Sequence, residues 1–349
     1  MKRLAKIFAV AMAVAMLFAL AACGQQGESQ SGSTDTESAA PTEEATDNGA
    51  AAKEGQYHIG IVQLVEHNAL DKATEGFEDA LKEKLGEDAV VFDYQNAQGE
   101  ANNCTTISTK FVNDNVDLIM ANATPAAQAA AQATGTIPIV GVSITDYEVA
   151  GLVESNEAPG RNVTGCSDLS PINEHVKLIQ QLCPDAKNIG ILYCSSEDNS
   201  IVQAKQAREA MEAAGYTVTD YTAADSNELQ TVVTKACSEQ DALYVPTDNL
   251  MAANMQIIKN VATPAGIPTF CGEENMINSG GFATYSVNYY TLGYNAGLMA
   301  YDVLANGKNP AEMPIQFMAA DELTLVINQE VADQLGITIP EDLAAQLGQ

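Results

Sequence analysis

Short apolar strand-like runs alternate with helical runs along most of the chain, and this alternation occurs twice in the same order. The first series has strands at 57–64, 90–94, 116–121 and 137–142, with helices at 69–85, 102–115 and 125–133. The second has strands at 188–193, 217–221, 242–245 and 267–270, with helices at 200–214, 227–238 and 249–263. Strands separated by helices predict a parallel sheet covered by helices. The sequence therefore predicts an α/β protein with two Rossmann-like lobes.

The two series divide the folded part of the chain into lobes. About 290 residues follow Tyr57, more than one hydrophobic core usually holds. Segments 162–168, 280–286 and 314–325 fit neither series, so we predict that they form a three-segment hinge. The helix at 290–304 would then return to the first lobe, and the helix at 329–335 would cover the second. We predict a first lobe at 56–164 plus 286–314 and a second lobe at 165–285 plus 315–349.

The N-terminus has the pattern of a secretory signal. Lys2, Arg3 and Lys6 precede an apolar stretch at 7–20, and small residues lead to Cys23. This stretch is shorter than the roughly 18 residues needed to cross a bilayer. A cysteine directly after Leu-Ala-Ala predicts a lipoprotein signal peptide at 1–23 with a lipid on Cys23. The alternatives are a plain cleaved signal peptide and a short uncleaved anchor.

Residues 24–55 are predicted to be a disordered tether. They are mainly Ser, Thr, Glu, Asp, Gln, Ala and Gly, with no aromatic or large aliphatic side chain. Such a segment cannot bury enough apolar surface to offset the entropy lost on ordering. We therefore predict an extracytoplasmic protein that the lipid on Cys23 anchors to the cell membrane.

Charge and cysteine usage exclude several functions. With 46 acidic and 16 basic residues the formal charge is −30, which disfavours nucleic acid as a partner. Six cysteines follow Cys23, an even number that permits disulfides in an exported protein, although buried thiols are favoured in a chain with its own core. None of the three histidines has the spacing to cysteine that a zinc site requires, so no metal and no cofactor are predicted.

Catalytic motifs are missing from the sequence. It contains no Gly-x-Ser-x-Gly elbow, phosphate-binding loop or His-Glu-x-x-His motif. A two-lobed racemase would need a thiol at a strand end in each lobe, but the first lobe has Asn122 at that position. We therefore predict that the protein is not an enzyme.

Open parallel sheets bind ligands beyond the carboxyl ends of their strands, and two facing lobes would form a cleft there. The predicted ligand-binding residues of the first lobe are Gln63, Glu66, His67, Thr124, Pro125 and Asp146. Those of the second lobe are Ser196, Glu197, Asn199, Asp248, Asn249 and Glu273, with Tyr289 just past a predicted crossing. The wider set of polar residues after strands also includes Asn122, Ser143, Thr145 and Thr247.

Most of these residues also have a purely structural interpretation. Thr124 and Pro125 are typical of the start of a helix, whose free amides could equally bind a carboxylate. Asp248 is either a helix cap or the acceptor for an ammonium group. The run 195–200 could be a solvated turn, and Tyr289 could pack in the core instead of stacking on a ligand.

Several long runs occur in order after the tether: VEHNALDKATEGF, ANATPAAQAAAQATGTIPIVGVSITD, NVTGCSDLSP, IGILYCSSEDNS, VPTDN, GFATYSVNYYTLGYNAG and LVINQEVADQLGITIPEDL. In these runs the chain resembles the ABC-transporter substrate-binding lipoproteins whose best-known members take up tryptophan and related amino acids. Asn68 is a departure, since the family usually has proline there.

The resemblance implies a type I periplasmic-binding-protein fold and a function. That function is a monomeric receptor that captures a small solute by lobe closure and presents it to an ABC permease and its ATPase. The implied solute is an amino acid, aromatic or large and apolar, with its carboxylate at the Thr124 helix and its ammonium near Asp248 or Glu197. The alternatives are a receptor for a sugar, nucleoside or branched-chain amino acid on the same fold, and a sensor lipoprotein.

Overall fold

The computed structural model describes residues 55–319 and 322–347, which all lie in one compact unit of the chain. The predicted signal peptide, Cys23 and the tether up to residue 54 lie outside the described residues. No helix of the described part is both long enough and apolar enough to span a membrane.

The first βα series forms as the apolar pattern predicts, because its strands have buried side chains on both faces. In chain order it contains β1 (Tyr57–Gln63), α1 (Asn68–Leu85), β2 (Val90–Asn96), α2 (Ala101–Asp114), β3 (Leu118–Asn122), α3 (Thr124–Ala133), β4 (Ile139–Ile144) and β5 (Val163–Ser167). A short 3₁₀ helix, Glu87–Ala89, precedes β2.

The second series repeats this order with more helices. It contains α4 (Ile172–Leu182), β6 (Asn188–Cys194), α5 (Asp198–Ala213), β7 (Thr217–Ala223), α6 (Ser226–Glu239), β8 (Ala242–Val245), α7 (Asn249–Ala253), α8 (Met255–Ala262), β9 (Thr269–Cys271), α9 (Glu274–Asn278) and β10 (Ala283–Ser286). The C-terminal part contains α10 (Tyr289–Asn306), a 3₁₀ helix (Pro310–Glu312), β11 (Gln316–Phe317), β12 (Thr324–Ile327), α11 (Gln329–Leu335) and α12 (Glu341–Ala344).

The described strands form two six-stranded sheets of matching topology. Their orders are β11-β5-β4-β3-β1-β2 and β12-β10-β9-β8-β6-β7, parallel except where β12 pairs with β10. In each sheet the first strand of the series lies between the second and the third, which creates a switch point where the chain connections diverge. The prediction of an α/β protein with two Rossmann-like lobes is confirmed, and the switch points set where a ligand site can form.

The sheets show where the chain crosses between the lobes. β5 belongs to the first sheet up to Ser167, and β11 also pairs with β5 in the first sheet. The crossings therefore follow Ser167, Ser286 and Phe317, whereas the predicted lobe limits fall at 164/165, 285/286 and 314/315. Parts of the predicted connectors are hydrogen-bonded strands, because a short extended segment next to a sheet edge satisfies its backbone by pairing. We propose lobes that follow the two sheets.

Helix α10 packs on the first lobe against α1. Its residues Leu292, Ala296 and Met299 lie in one buried cluster with Phe77 of α1. The helices approach closely at Gly293, where an added Cβ would collide with the backbone of Ala73. Helix α11 buries Val331 and Ala332 in the core of the second lobe.

All six cysteines of the described residues are free thiols. Cys104, Cys166, Cys194 and Cys271 are buried, and burial raises the pKa of Cys104 to about 11. They behave as small core residues, which is the interpretation that the sequence favoured over disulfides.

Candidate functional site

The loops after the strands of both lobes meet in a cleft, and the lobes are hydrogen-bonded across it. His67 Nε2 of the first lobe lies 3.3 Å from Asn249 Oδ1 of the second. Gln203 Nε2 donates to Thr145 Oγ1 at 3.0 Å. These bonds connect His67 and Thr145, which follow strands of the first lobe, with helices α7 and α5 of the second lobe, so the described conformation is a closed one.

Two cavities lie in this cleft and share Asn249. The inner cavity, about 20 Å³, is lined by His67, Leu70, Ser143, Thr145, Asp168, Asn199, Thr247, Asp248, Asn249, Ala252, Glu273, Met276 and Tyr289. The outer cavity, about 580 Å³, opens toward solvent; its lining includes Leu64, Val65, Glu100, Asn102, Pro125, Gln128, Ala129, Ser196, Glu197, Asp198, Asn249 and Leu250. Both cavities take residues from each lobe.

Buried carboxyl groups line both cavities: Asp168, Asp248 and Glu273 the inner one, and Glu197 the outer one. Asp168, Glu197, Asp248 and Glu273 are each less than 8 % exposed. No lysine or arginine lines either cavity among the described residues. Four buried acids without a cation favour a positively charged ligand group, because a desolvated carboxylate needs a partner.

Burial sets the protonation of these acids. It raises the pKa of Asp248 to about 7, and the neighbouring Glu197 carboxylate adds to the effect. It also raises the pKa of Glu273 to about 7, against the opposing effect of the amides of Asn275 and Met276. The pKa values of Glu197 and Asp168 are raised by burial as well. A cation placed beside these groups would favour their ionised forms.

Glu197 and Asp248 also order the backbone around α7. Glu197 accepts the backbone N–H of Leu250 at 3.2 Å and the side-chain amide of Asn249 at 2.6 Å. Asp248 caps the helix by accepting the N–H of Met251 at 2.8 Å, and its other oxygen accepts the N–H of Cys194 at 2.5 Å. Each carboxylate can accept further bonds, so capping does not prevent a ligand contact.

Three buried polar atoms of the inner cavity have no partner within the described structure: His67 Nδ1, Ser143 Oγ and Asn199 Oδ1. Burial lowers the pKa of His67 to about 4, so its ring is neutral near pH 7. Because Asn249 Nδ2 donates to Glu197, its Oδ1 accepts from His67 Nε2, and this leaves His67 Nδ1 as an acceptor. Asn199 Nδ2 points to Glu197 and Thr247, so Asn199 Oδ1 is a free acceptor.

Ser143 sits in an unusual backbone conformation. Its φ is +56°, in the left-handed region that non-glycine residues rarely adopt. The register between β4 and β5 shifts between Gly141 and Ile144, which places Ser143 outside regular pairing. Such local strain is typical of binding sites.

The start of α3 faces the outer cavity. Ala123 at the N-cap has φ +86° and offers no side-chain cap, and Pro125 and Gln128 line the cavity. The first amides of a ten-residue helix carry partial positive charge and can bind an anion. Buried Thr124 belongs to this turn but does not line the cavity.

The structure brings nine of the predicted site residues to the two cavities. They are His67, Pro125, Ser196, Glu197, Asn199, Asp248, Asn249, Glu273 and Tyr289. Thr124 and the remaining three lie elsewhere. Gln63 accepts from Thr74 and donates to Asp71 inside the first lobe, Glu66 is exposed, and Asp146 accepts the N–H of Val149 in a turn.

Asp168 lines the inner cavity but was not among the predicted residues. It follows β5, a strand that the sequence pattern placed in a connector. Its carboxylate accepts from Tyr289 Oη at 2.8 Å and from Thr145 Oγ1 at 3.3 Å. The available signal in the sequence is an acidic residue directly after the short segment VTGCS, which forms β5. Apolar lining residues such as Leu70 and Met276 have no comparable signal in sequence.

Comparisons with known proteins over most of the chain all find solute-binding proteins. The family model described as ABC transporter substrate binding protein matches residues 58–349. A tyrosine-binding protein of Clostridioides difficile (strain R20291) is 41% identical over 277 residues, which is 79% of each chain. The structure of an ABC domain from Streptococcus pneumonia in complex with L-Trp is 37% identical, with a TM-score of 0.81, and covers 84% of this chain and 99% of its own.

A ligand-free, open structure of a Clostridium difficile substrate-binding protein with adhesive properties is 38% identical. It covers 82% of this chain and 97% of its own, and its TM-score is 0.64. The L-Trp complex and the open structure are almost equally similar in sequence, yet the complex superposes better. The conformation described above therefore resembles the ligand-bound form of such a protein more than the open form.

Proposed function

The chain belongs to the family of ABC transporter substrate-binding proteins, and from this premise we propose that it captures an aromatic amino acid between its lobes. The family binds solutes and does not catalyse reactions, so the cleft is a binding site. In our proposal the protein acts outside the cytoplasm, delivers its ligand to an ABC permease, and is held to the membrane by the lipid predicted on Cys23.

The excess of acceptors in the inner cavity carries this proposal. Asp168, Asp248 and Glu273 line it, and Asn199 Oδ1 and His67 Nδ1 are free acceptors beside them. An ammonium group supplies three N–H donors and a positive charge, which matches this set. A sugar supplies hydroxyl donors but no charge to offset the buried acids.

The rest of an amino acid fits the outer part of the cleft. Its carboxylate is assigned to the start of α3, whose N-cap residue Ala123 offers no side-chain cap. Its ring is assigned to the outer cavity, where Leu64, Val65, Ala129 and Leu250 offer apolar walls. The volume of about 580 Å³ lies in the usual range for small-molecule sites.

The relatives favour an aromatic side chain. One is a tyrosine-binding protein and another was crystallised with L-Trp, and both are more than 35% identical to this chain. Both cover more than three quarters of the chain.

Thermal unfolding of the purified protein against a panel of amino acids, sugars and nucleosides tests the proposal. A ligand that binds only the folded form raises the midpoint by mass action. We expect a shift with L-tryptophan, L-tyrosine or L-phenylalanine. The chain contains no tryptophan, so emission from bound L-tryptophan gives an independent signal.

Analogues of tryptophan that lack one charged group test the contributions of the ammonium and the carboxylate to binding separately. Tryptamine retains the ammonium and lacks the carboxylate, whereas 3-indolepropionate retains only the carboxylate. Tryptamine should bind weakly, and 3-indolepropionate should give no shift because the buried acids repel it. A shift confined to sugars or nucleosides would keep the receptor and reject the amino acid. Equal shifts with both analogues would reject the assigned orientation.

A further inference from the structure

Gln203 of α5 is fully buried, lines neither cavity, and is not needed to cap a helix or strand. Its side-chain amide makes four hydrogen bonds. Three of them go to Thr247: its Oε1 accepts from Thr247 Oγ1 at 2.6 Å and from Thr247 N at 3.4 Å, and its Nε2 donates to Thr247 O at 3.1 Å. Because Thr247 presents both an N–H and a C=O, these bonds fix which way the amide points.

The fourth bond crosses the cleft. With the amide fixed by Thr247, the remaining hydrogen of Gln203 Nε2 points to Thr145 Oγ1 in the first lobe, at 3.0 Å. Thr145 and Thr247 both line the inner cavity. Gln203 thus forms hydrogen bonds to one cavity-lining residue of each lobe. Of its four bonds, the one to Thr145 is the one that has to break when the lobes separate.

The hydrogen bonds continue from Thr145 to the crossings between the lobes. Thr145 Oγ1 donates to Asp168 Oδ1 at 3.3 Å, and Asp168 Oδ2 accepts from Tyr289 Oη at 2.8 Å. Asp168 follows the crossing after Ser167, and Tyr289 follows the crossing after Ser286. A continuous buried chain therefore connects Thr247, next to Asp248, with two of the crossings.

We propose that Gln203 is a positioning residue for ligand retention: it orders Thr247 beside the ligand and stabilises the closed lobes through its bond to Thr145. The proposal rests on the proposed function only in that the retained ligand is an aromatic amino acid. Closure of a two-lobed receptor depends on contacts that the closed state alone makes. The buried bond from Gln203 to Thr145 is such a contact. Its donor is already oriented when the lobes approach, because the three bonds to Thr247 fix the amide.

The test replaces Gln203 with methionine, which has similar size and helix propensity but no amide. The matched control is Gln206→Met, because Gln206 lies in the same helix and is only half-buried. We expect the dissociation rate of L-tryptophan, followed by its fluorescence, to rise about three- to tenfold in Gln203→Met, the factor expected for one ordinary hydrogen bond. We expect small-angle X-ray scattering of the ligand-free variant to show a more open average shape than the control.

A second variant identifies the bond. Thr145→Val removes the acceptor, so the two substitutions share the loss of one bond, and the double variant should dissociate more slowly than the product of the two single effects predicts. Fully additive effects of the two substitutions would overturn the proposal. So would a Gln203→Met protein with the dissociation rate and scattering of the Gln206→Met control.

Failure of the proposed function would look different. If wild-type protein binds none of the three aromatic amino acids, the ligand assignment falls. The ligand-free scattering of Gln203→Met and Thr145→Val, compared with Gln206→Met, then decides the role of Gln203 by itself. Circular dichroism of each variant establishes that its secondary structure is retained.

Discussion

Asp248, to which we assign the ammonium group of the ligand, is a buried carboxylate whose ionised form is costly for the ligand-free protein. It is 2 % exposed and lies beside Glu197, so the ionised form is desolvated and repelled at once. The backbone N–H groups of Cys194 and Met251 donate to the carboxylate and offset part of this cost. An ammonium group beside Asp248 would offset the rest of the desolvation and repulsion of the ionised carboxylate. We expect this gain to contribute to the affinity for the ligand.

Asp248→Asn should therefore separate stability from binding. Asparagine retains an oxygen for the N–H of Met251 and removes the buried charge, but its NH2 group cannot accept from the N–H of Cys194. The relief of the charge exceeds the loss of this one bond, so we expect the free energy of unfolding at pH 8 to rise by on the order of 1 kcal/mol. The affinity for L-tryptophan should fall at least about tenfold, since a charge-assisted bond is lost. Urea unfolding and calorimetric titration measure the two effects.

The control for this substitution is Asp146→Asn, because Asp146 serves a turn outside both cavities. It should leave the affinity unchanged. Wild-type affinity in Asp248→Asn would contradict the assignment of the ammonium to this carboxylate.

The two acids whose pKa values lie near 7 make binding depend on pH. In the ligand-free protein Asp248 and Glu273 bind protons more tightly than in the unfolded chain, so their contribution to stability falls as pH rises from about 4 to about 7. An ammonium group favours the ionised forms, so binding releases protons and affinity falls as pH drops from 8 to 5. His67 and His175 have pKa values of about 4 and stay neutral over most of this range.

Calorimetry in two buffers of different ionisation heat measures this proton release near pH 6.5. Glu273→Gln should release fewer protons than the wild type because one of the two acids is gone. Binding that is stronger at pH 5 than at pH 8 would show that the ligand does not present a cation to these groups.

Sequence reasoning could find some of these residues and not others. Asp248 and Asn249 follow a strand directly, and the end of a parallel strand is where ligand loops form. Gln203 lies inside a helix one turn after its start, and nothing in its neighbourhood distinguishes it from Gln206. Its importance depends on Thr145, a residue of the other lobe, and only the three-dimensional structure shows that contact.

At the level of elements, the α1–α10 pair depends on glycine. An added Cβ at Gly293 would collide with the backbone of Ala73, and one at Gly76 with the backbone of Tyr290. Backbone atoms cannot move aside as the end of a flexible side chain can. Helix α10 also begins at Tyr289, so the packing of this pair positions a residue that lines the inner cavity.

Gly293→Ala should therefore lower the free energy of unfolding by about 1–3 kcal/mol, although alanine is the better helix former. Gly135→Ala is the matched control, because an added Cβ there meets open space, and it should change stability by less than about 0.5 kcal/mol. Denaturant unfolding of both variants measures the difference. Equal stabilities would mean that α1 and α10 separate without cost.

The predicted elements agree with the structure where periodicity is long and clear, and differ where local bonds interrupt it. The sequence predicted one helix at 249–263, but α7 ends at Ala253 and α8 begins at Met255. Asn254 breaks the helix between them, and its side chain donates to the carbonyl of Leu250, a local bond that competes with helix continuation. Helix α4 was not predicted, although Val176, Ile179 and Leu182 have helical spacing and are buried.

At the scale of the whole molecule, the two-lobed fold could be predicted because the βα order repeats, but lobe closure could not. The cross-lobe bonds join residues far apart in sequence, such as His67 with Asn249 and Thr145 with Gln203. Their geometry depends on how two separate sheets face each other, which no local pattern encodes. The predicted hinge segments stand out in the sequence as exceptions to the pattern, whereas the points where the chain passes from one sheet to the other follow from strand pairing.

The net charge of −30 leads to a prediction that distinguishes stability from binding. Repulsion among surface carboxylates disfavours the compact state and is screened by salt, so the unfolding midpoint should rise as NaCl increases from about 0.02 M to about 0.2 M. A zwitterionic amino acid has no net charge, so long-range attraction contributes little to its capture, and its contacts in the cleft are shielded from bulk salt. Its dissociation constant should change less than about twofold over the same range. Thermal unfolding and calorimetric titration across the salt series measure both quantities. A steep loss of affinity with salt would instead identify a ligand with net positive charge, which the acidic surface attracts from a distance.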